Sequence, residues 1–353
     1  DIHGNSGTCV SNVTVEDNIA PIAICQNITV QLDETGNATI TAAQIDNGSN
    51  DACGIASLVV SETAFDCSNV GANTVTLTVT DNNGNVSSCT SVVTVEDNVD
   101  PVAICQNITV QLDATGNATI TAAQIDNGSN DACGILSLVA SQTAFDCSNV
   151  GLNVITLTVT DNNGNTSTCT SDVTVEDNVA PVAICQNLTV ELDVTGNATI
   201  TAAQIDNGSN DACGIASFMA SQTVFDCSNV GLNVITLTVT DNNGNTSTCT
   251  SDVTVEDNVA PVAICQNLTV QLDATGNATI TAAQIDNGSN DACGILSLVA
   301  SQTAFDCSHV GLNVITLTVT DNNSNTSTCT SNVTVEDNVA PVAICQNLTV
   351  QLD

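Results

Sequence analysis

Between residues 99 and 178, apolar side chains alternate with Thr and Ser in short runs, and clusters of Asp, Asn and Gly separate the runs. That period of two predicts strands rather than helices. Val102–Cys105 and Ile108–Leu112 read as a split first strand, and Asp113–Asn117 as a turn. Ala118–Ile125 reads as a second strand, Asp126–Asp131 as a polar loop, Ile135–Ala140 as a third strand, and Thr143–Cys147 as a shorter one. In Val154–Thr160, Ile155, Leu157 and Val159 fall on one face and Thr156, Thr158 and Thr160 on the other. Asp161–Asn165 contains the Asn-Gly of a hairpin turn and leads into a last strand, Thr166–Val175. No segment shows a helical period. About seven short strands in such a span predict an antiparallel β-sandwich.

The pattern recurs without slippage. The prolines are Pro21, Pro101, Pro181, Pro261 and Pro341, a spacing of 80, and residues 101–180 differ from 261–340 only at Ile108/Leu268, Asn149/His309, Gly164/Ser324 and Asp172/Asn332. Such periodicity predicts a tandem array. Four repeats span 19–98, 99–178, 179–258 and 259–338. Residues 1–18 align with 81–98 and read as the last strands of a preceding copy; residues 339–353 read as the first strands of a following one. The expectation is a cut from a longer array.

Charge narrows the function. The chain has no Lys, Arg, Trp or Tyr, and 38 acidic residues give a formal charge of −38. Nucleic acid and anionic membrane need basic patches and are excluded as partners. Internal salt bridges are excluded on the same ground, and bound metal becomes the natural counter-charge. Disorder is the bland reading of an acidic chain poor in aromatics, but 42% hydrophobic residues in strand-like alternation argue against it. No run approaches the ~20 apolar residues of a membrane span.

Eighteen cysteines at regular spacing, with no basic residue to activate a thiolate, predict disulfides in an oxidising, extracellular compartment. Zinc fits poorly, because the nearest pairs, Cys53/Cys67 and Cys9/Cys25, are 14 and 16 residues apart. Each repeat has a thin core, and two disulfides worth ~2–4 kcal/mol each would supply its margin. Four cysteines allow three connectivities. In an Ig-like sandwich the first and last strands lie side by side, which favours Cys25–Cys89, Cys105–Cys169, Cys185–Cys249 and Cys265–Cys329. Elimination then gives Cys53–Cys67, Cys133–Cys147, Cys213–Cys227 and Cys293–Cys307, and leaves Cys9 and Cys345 with partners outside the sequence.

Pro101-Val102-Ala103-Ile104-Cys105, Asn130-Asp131-Ala132-Cys133-Gly134, Val159–Asn165, and Cys169 followed by Val173-Thr174-Val175 together resemble the hyalin repeat (HYR). The Thr158–Asn165 portion is also similar to the PKD module, while the extra cysteine in Phe145-Asp146-Cys147-Ser148 departs from the minimal HYR pattern. The resemblance implies tandem Ig-like antiparallel β-sandwiches, an all-β fold strung into an elongated rod, with roles in extracellular adhesion or matrix. Arrays this uniform also resemble the giant cell-surface adhesins of Bacteroidetes, including those of flavobacterial gliding motility.

Candidate chemistry sits where repeats meet. Glu96, Asp97 and Asn98 in the linker are expected beside Asp126, Asn130, Asp131, Asp161 and Asn163 of the next copy, and likewise at their equivalents 80 and 160 positions on. Calcium takes 6–8 oxygen ligands and suits such a cluster, in an arrangement similar to the acidic linkers of cadherins. The competing reading is ordinary Asp/Asn turn chemistry. The segment Asp46–Asp51 lacks the distant Glu of an EF-hand. Sequons recur at Asn27, Asn37, Asn47 and Asn85.

Nothing supports catalysis: His3 and His309 stand where other copies have Asn, and no Ser/His/Asp set recurs. No organic cofactor is implied. The expectation is a secreted, surface-attached adhesin stalk whose partners are its own neighbouring repeats. A hyalin-type matrix that self-associates and a polysaccharide-binding array are the alternatives.

Overall fold

Two long strands organise each repeat. In the computed structural model, which describes residues 1–351, Gly151–Asp161 and Thr166–Glu176 pair antiparallel with Leu157 opposite Cys169. Alternation turns Ile155, Leu157, Val159, Val173 and Val175 inward, each at most 2% exposed. The cross-strand pairs Thr156/Thr170 and Thr158/Thr168 lie on the other face. Ile135–Ala140 flanks one edge of this hairpin and Ile108–Gln111 the other, giving a four-stranded sheet. A second sheet pairs Asn117–Thr119 with Ala144–Asp146. The residues between the sheets are the core. In the first repeat it is one cluster of ten buried side chains, centred on Ile45, Phe65, Leu77 and Val93, which is thin for its length.

Three details differ from the sequence expectation. Ile108–Gln111 runs parallel, not antiparallel, to the last strand, with Ile108 opposite Val173. The strand expected over Ala118–Ile125 stops at Thr119, and Ala122–Ile125 forms a helical turn capped by Thr121, whose N–H donates to Gln124 Oε1 at 2.7 Å. Ile120 and Ile125 are both buried at this spacing, so the turn satisfies the core as well as a strand would. The segment Val102–Cys105 joins no sheet; it bridges the polar loop, Val102 to Asn130 and Cys105 to Asp126.

The chain divides into two compact units, Asp1–Asn178 and Val179–Asp353. Residues 1–18 and 339–351 form no strand among the described residues.

The cysteines separate into two classes. Cys25–Cys89, Cys105–Cys169, Cys185–Cys249 and Cys265–Cys329 join the first segment of a repeat to its last strand. The other four expected pairings, Cys53–Cys67, Cys133–Cys147, Cys213–Cys227 and Cys293–Cys307, are replaced. Cys67 bonds to Cys133, and Cys227 to Cys293, each across a junction between consecutive repeats. Cys147 and Cys213 are also disulfide-bonded, whereas Cys9, Cys53, Cys307 and Cys345 carry free thiols. The reason is geometric. Cys53 lies at the N-terminal end of its repeat, grouped with Asp17. Cys67 lies at the other end, 3.8 Å from the Gly36 carbonyl, where the next repeat's Ala132 arrives.

One salt link escaped the charge argument: His309 Nδ1 lies 2.9 Å from Asp306 Oδ1, an ion pair whenever the imidazole is protonated. When Nδ1 carries no proton it instead accepts the Asp306 N–H, as Asn149 Oδ1 accepts that of Asp146, so the substitution preserves the turn.

The hairpin turn supplies a stability test. Gly84, Gly164 and Gly244 have φ of 94°, 98° and 94°, while Ser324, at the same place, is held at 78°. A side chain in this left-handed region costs ~1–2 kcal/mol. Ser324→Gly should therefore slow amide hydrogen exchange in the 321–325 turn roughly fivefold or more, with the other three hairpins unchanged.

Candidate metal centre at the repeat junction

Most of the acids expected as ligands are occupied by their own turns. Asp161, with no exposed surface, accepts the N–H groups of Asn163, Gly164 and Asn165 at 2.8, 2.6 and 2.8 Å and the Asn165 amide at 2.8 Å. Asp126 accepts Ser129 N–H at 3.0 Å and Gly128 N–H at 3.2 Å, shaping the loop that bridges Val102–Cys105. Burial pushes its carboxyl up, but hydrogen bonding from the Ser129 side chain, together with these two N–H groups, outweighs it and holds the pKa below the usual value. Asn130 donates to Gly128 O, and the Asn163 side chain is exposed. Glu96 and Asn98 turn back onto their own repeat: Gln31 donates to Glu96 Oε2 at 2.7 Å, and Asn98 to Gln31 Oε1 at 2.7 Å.

Asp97 and Asp131 remain. Asp97 is 6% exposed; its Oδ1 accepts Val99 N–H at 3.1 Å, and its Oδ2 is buried with no hydrogen-bond partner. Asp131 Oδ1 accepts Cys133 N–H at 2.7 Å. Oxygens of both carboxylates and the Cys133 sulfur lie within 4.8 Å of one another. Burial, then the charges of Asp131 and Asp161, push the Asp97 carboxyl above its usual pKa, against the Val99 bond. An orphaned buried oxygen facing a second carboxylate is the donor set a hard cation would complete. The sulfur is no soft ligand, because Cys133 is held in its disulfide. In the second unit Asp257, 6% exposed with an unpartnered Oδ2, meets Asp291 and Cys293 in the same way. At the first junction Asp17 and Asp51 group with the Cys53 thiol, whose pKa is raised by hydrogen bonding to Asp17 and by its charge.

Two residues absent from the sequence expectation position the site. Asn165 bridges the hairpin turn to the linker, donating to the Asp97 carbonyl at 3.1 Å as well as to Asp161; Asn325 does the same for Asp257 at 2.8 Å. Its signal was the second Asn of the Asn-Gly-Asn turn. Gly36, at φ 74°, admits the junction itself: a Cβ there would lie 2.7 Å from Cys67 Sγ and 3.1 Å from Ala132 Cβ.

Asp97 has a signed pH signature. With its folded pKa raised, the native chain binds extra proton between the unfolded and folded values. Stability is lost as pH rises through that window, and without a cation the cost is complete above it. Asp97→Asn keeps the acceptor for Val99 and removes the charge. In chelator at about pH 7 the variant should melt above the native chain, and the two should converge once pH falls below the unfolded carboxylate value.

No family model matches the chain. It is 29% identical over 361 residues to hyalin of Strongylocentrotus purpuratus, covering 97% of this chain and 30% of hyalin. The chain thus spans under a third of that relative's length. Solved structures similar to it include protocadherin gamma B7 extracellular cadherin domains 1–4, at 14% identity and a TM-score of 0.34, covering 88% of this chain and 100% of that one. Another is Sidekick-1 immunoglobulin domains 1–4, at 9% identity and a TM-score of 0.27, covering 91% and 100%. The chain is therefore a tandem array of disulfide-bonded β-sandwich repeats with sequence similarity to hyalin.

Proposed function

We propose that this chain is a structural segment of an extracellular repeat protein, a non-enzymatic spacer of a cell-surface adhesin whose junctions bind calcium. The orphaned Asp97 oxygen carries this reading: no hydrogen-bond donor of the chain meets it, no Lys or Arg exists to do so, and a cation from solution would satisfy it. Asp97 and Asp131 supply carboxylates, and water completes the 6–8 oxygens that calcium takes. The first complete junction is the most acidic, because Glu34, Asp100 and Asp131 line one cleft of about 340 Å³ there, where other copies have Ala or Val for Glu34 and Ala for Asp100. Similarity to hyalin and the disulfide content support an extracellular setting.

Self-association is a second reading, favoured by apolar side chains left on the outer surface: Leu152 and Val154 are 67% and 63% exposed, and Leu232 and Val234 repeat them. Sedimentation that shifts with concentration would favour it; a monomer throughout would favour the spacer.

Calcium is tested by calorimetry of the whole chain. Millimolar calcium should raise the melting temperature relative to chelator, by an amount equivalent to ~2.7 kcal/mol per site at a hundred times Kd. Asp97→Asn with Asp131→Asn should diminish the response, and the same pair of changes at Asp257 and Asp291 should diminish it less. No response in the native chain removes calcium from the account.

A further inference from the structure

We propose that the array is a tension-bearing tether whose length under load is capped by its disulfides; this deepens the structural reading above. Four bridges, Cys25–Cys89, Cys105–Cys169, Cys185–Cys249 and Cys265–Cys329, each close a loop of 64 residues in sequence. Tension reaching Cys25 crosses to Cys89, follows the chain to Cys105, and crosses again to Cys169. Only the 16 residues from Cys89 to Cys105 lie on the load path of that 80-residue period. The rest of each sandwich is inside a closed loop and can unfold without lengthening the chain.

Two further observations fit this role. Just inside the bridge, Ile108–Gln111 runs parallel to the last strand, Thr166–Glu176. Once that bridge is reduced, load pulls the first strand toward its N-terminus and the last toward its C-terminus, so their hydrogen bonds are sheared together rather than opened one by one. Cys67–Cys133 and Cys227–Cys293 then add a second covalent connection beside the linker. The load-bearing stretch from Cys89 to Cys105 lies wholly within the Cys67–Cys133 loop, so a cut there leaves the two repeats joined.

At ~3.6 Å per extended residue, a bridged repeat has a limiting length of about 58 Å and an unbridged one about 290 Å, a fivefold difference. Single-molecule stretching of the whole oxidised chain measures this directly. The expected record has no unfolding step longer than about 58 Å per repeat; after a thiol reductant is added, steps longer by about 230 Å appear. Cys105→Ser with Cys169→Ser should introduce one longer step into the oxidised record, by at most about 150 Å because Cys67–Cys133 still shortens the load path, and reduction of the native chain serves if that variant does not fold. Steps of about 290 Å in the fully oxidised protein would overturn the tether. That failure is distinct from a failed calcium reading, which would appear as an absent melting shift with the short steps unchanged.

Discussion

A carboxylate removed from water must find N–H donors or a cation, and in a chain with no Lys or Arg the donors are backbone amides and Asn side chains. The fold is arranged around that requirement. Asp161 is buried because four hydrogen bonds from its own turn meet it. One of those donors, Asn165, also holds the linker carbonyl of Asp97. The linker so held places the Asp97 carboxylate over Asp131, where donors run out. The hairpin turn, the linker path and the junction chemistry are thus one connected set of hydrogen bonds that ends in a single unmatched oxygen.

The strands were legible because period-two alternation records directly which face is buried, as with Ile155, Leu157 and Val159. What periodicity omits is which distant strand lies alongside, and in which direction; the parallel pairing of Ile108 with Val173 left no trace in either strand's pattern. The helical turn at Ala122–Ile125 was hidden for a related reason, since a core needs only Ile120 and Ile125 inside and either conformation delivers them. Disulfides were misassigned where elimination was carried out within one repeat. In a tandem array the neighbour's cysteines are equally available, and the fold puts Cys53 and Cys67 at opposite ends of the sandwich.

Of the acids expected at the junction, the structure brings Asp97 and Asp131 together with Cys133, while Asp126 and Asp161 serve their own turns. Asp126 and Asp161 looked like ligands by charge, and each is followed at two or three residues by Gly, Ser or Asn amides that claim its oxygens. That spacing, the signature of an Asx turn, distinguishes a structural carboxylate from an available one. Asp131 shows that the distinction is a matter of degree: it makes one such bond, to Cys133 N–H, and still faces Asp97.

The near-identity of the repeats has a physical component beyond duplication. Several differences between copies lie where the sheet faces outward. Ala72, Thr74 and Val92 of the first repeat become Leu152, Val154 and Asp172 in the second, and Thr74/Val92 and Val154/Asp172 are cross-strand partners that exchange which strand carries the polar group. Such changes are absorbed inside one sheet. The junction varies at its rim, at Glu34 and Asp100, but its covalent contact permits no such freedom, because Gly36 and Cys67 of one copy must match Ala132 and Cys133 of the next to within a few tenths of an ångström. A change on one side has to suit a surface contributed by another repeat, so a bridge across the junction couples neighbouring copies in sequence as well as in space. The residues that meet there, and the Asp97 and Asp131 positions beside them, are the same in every copy that contains them.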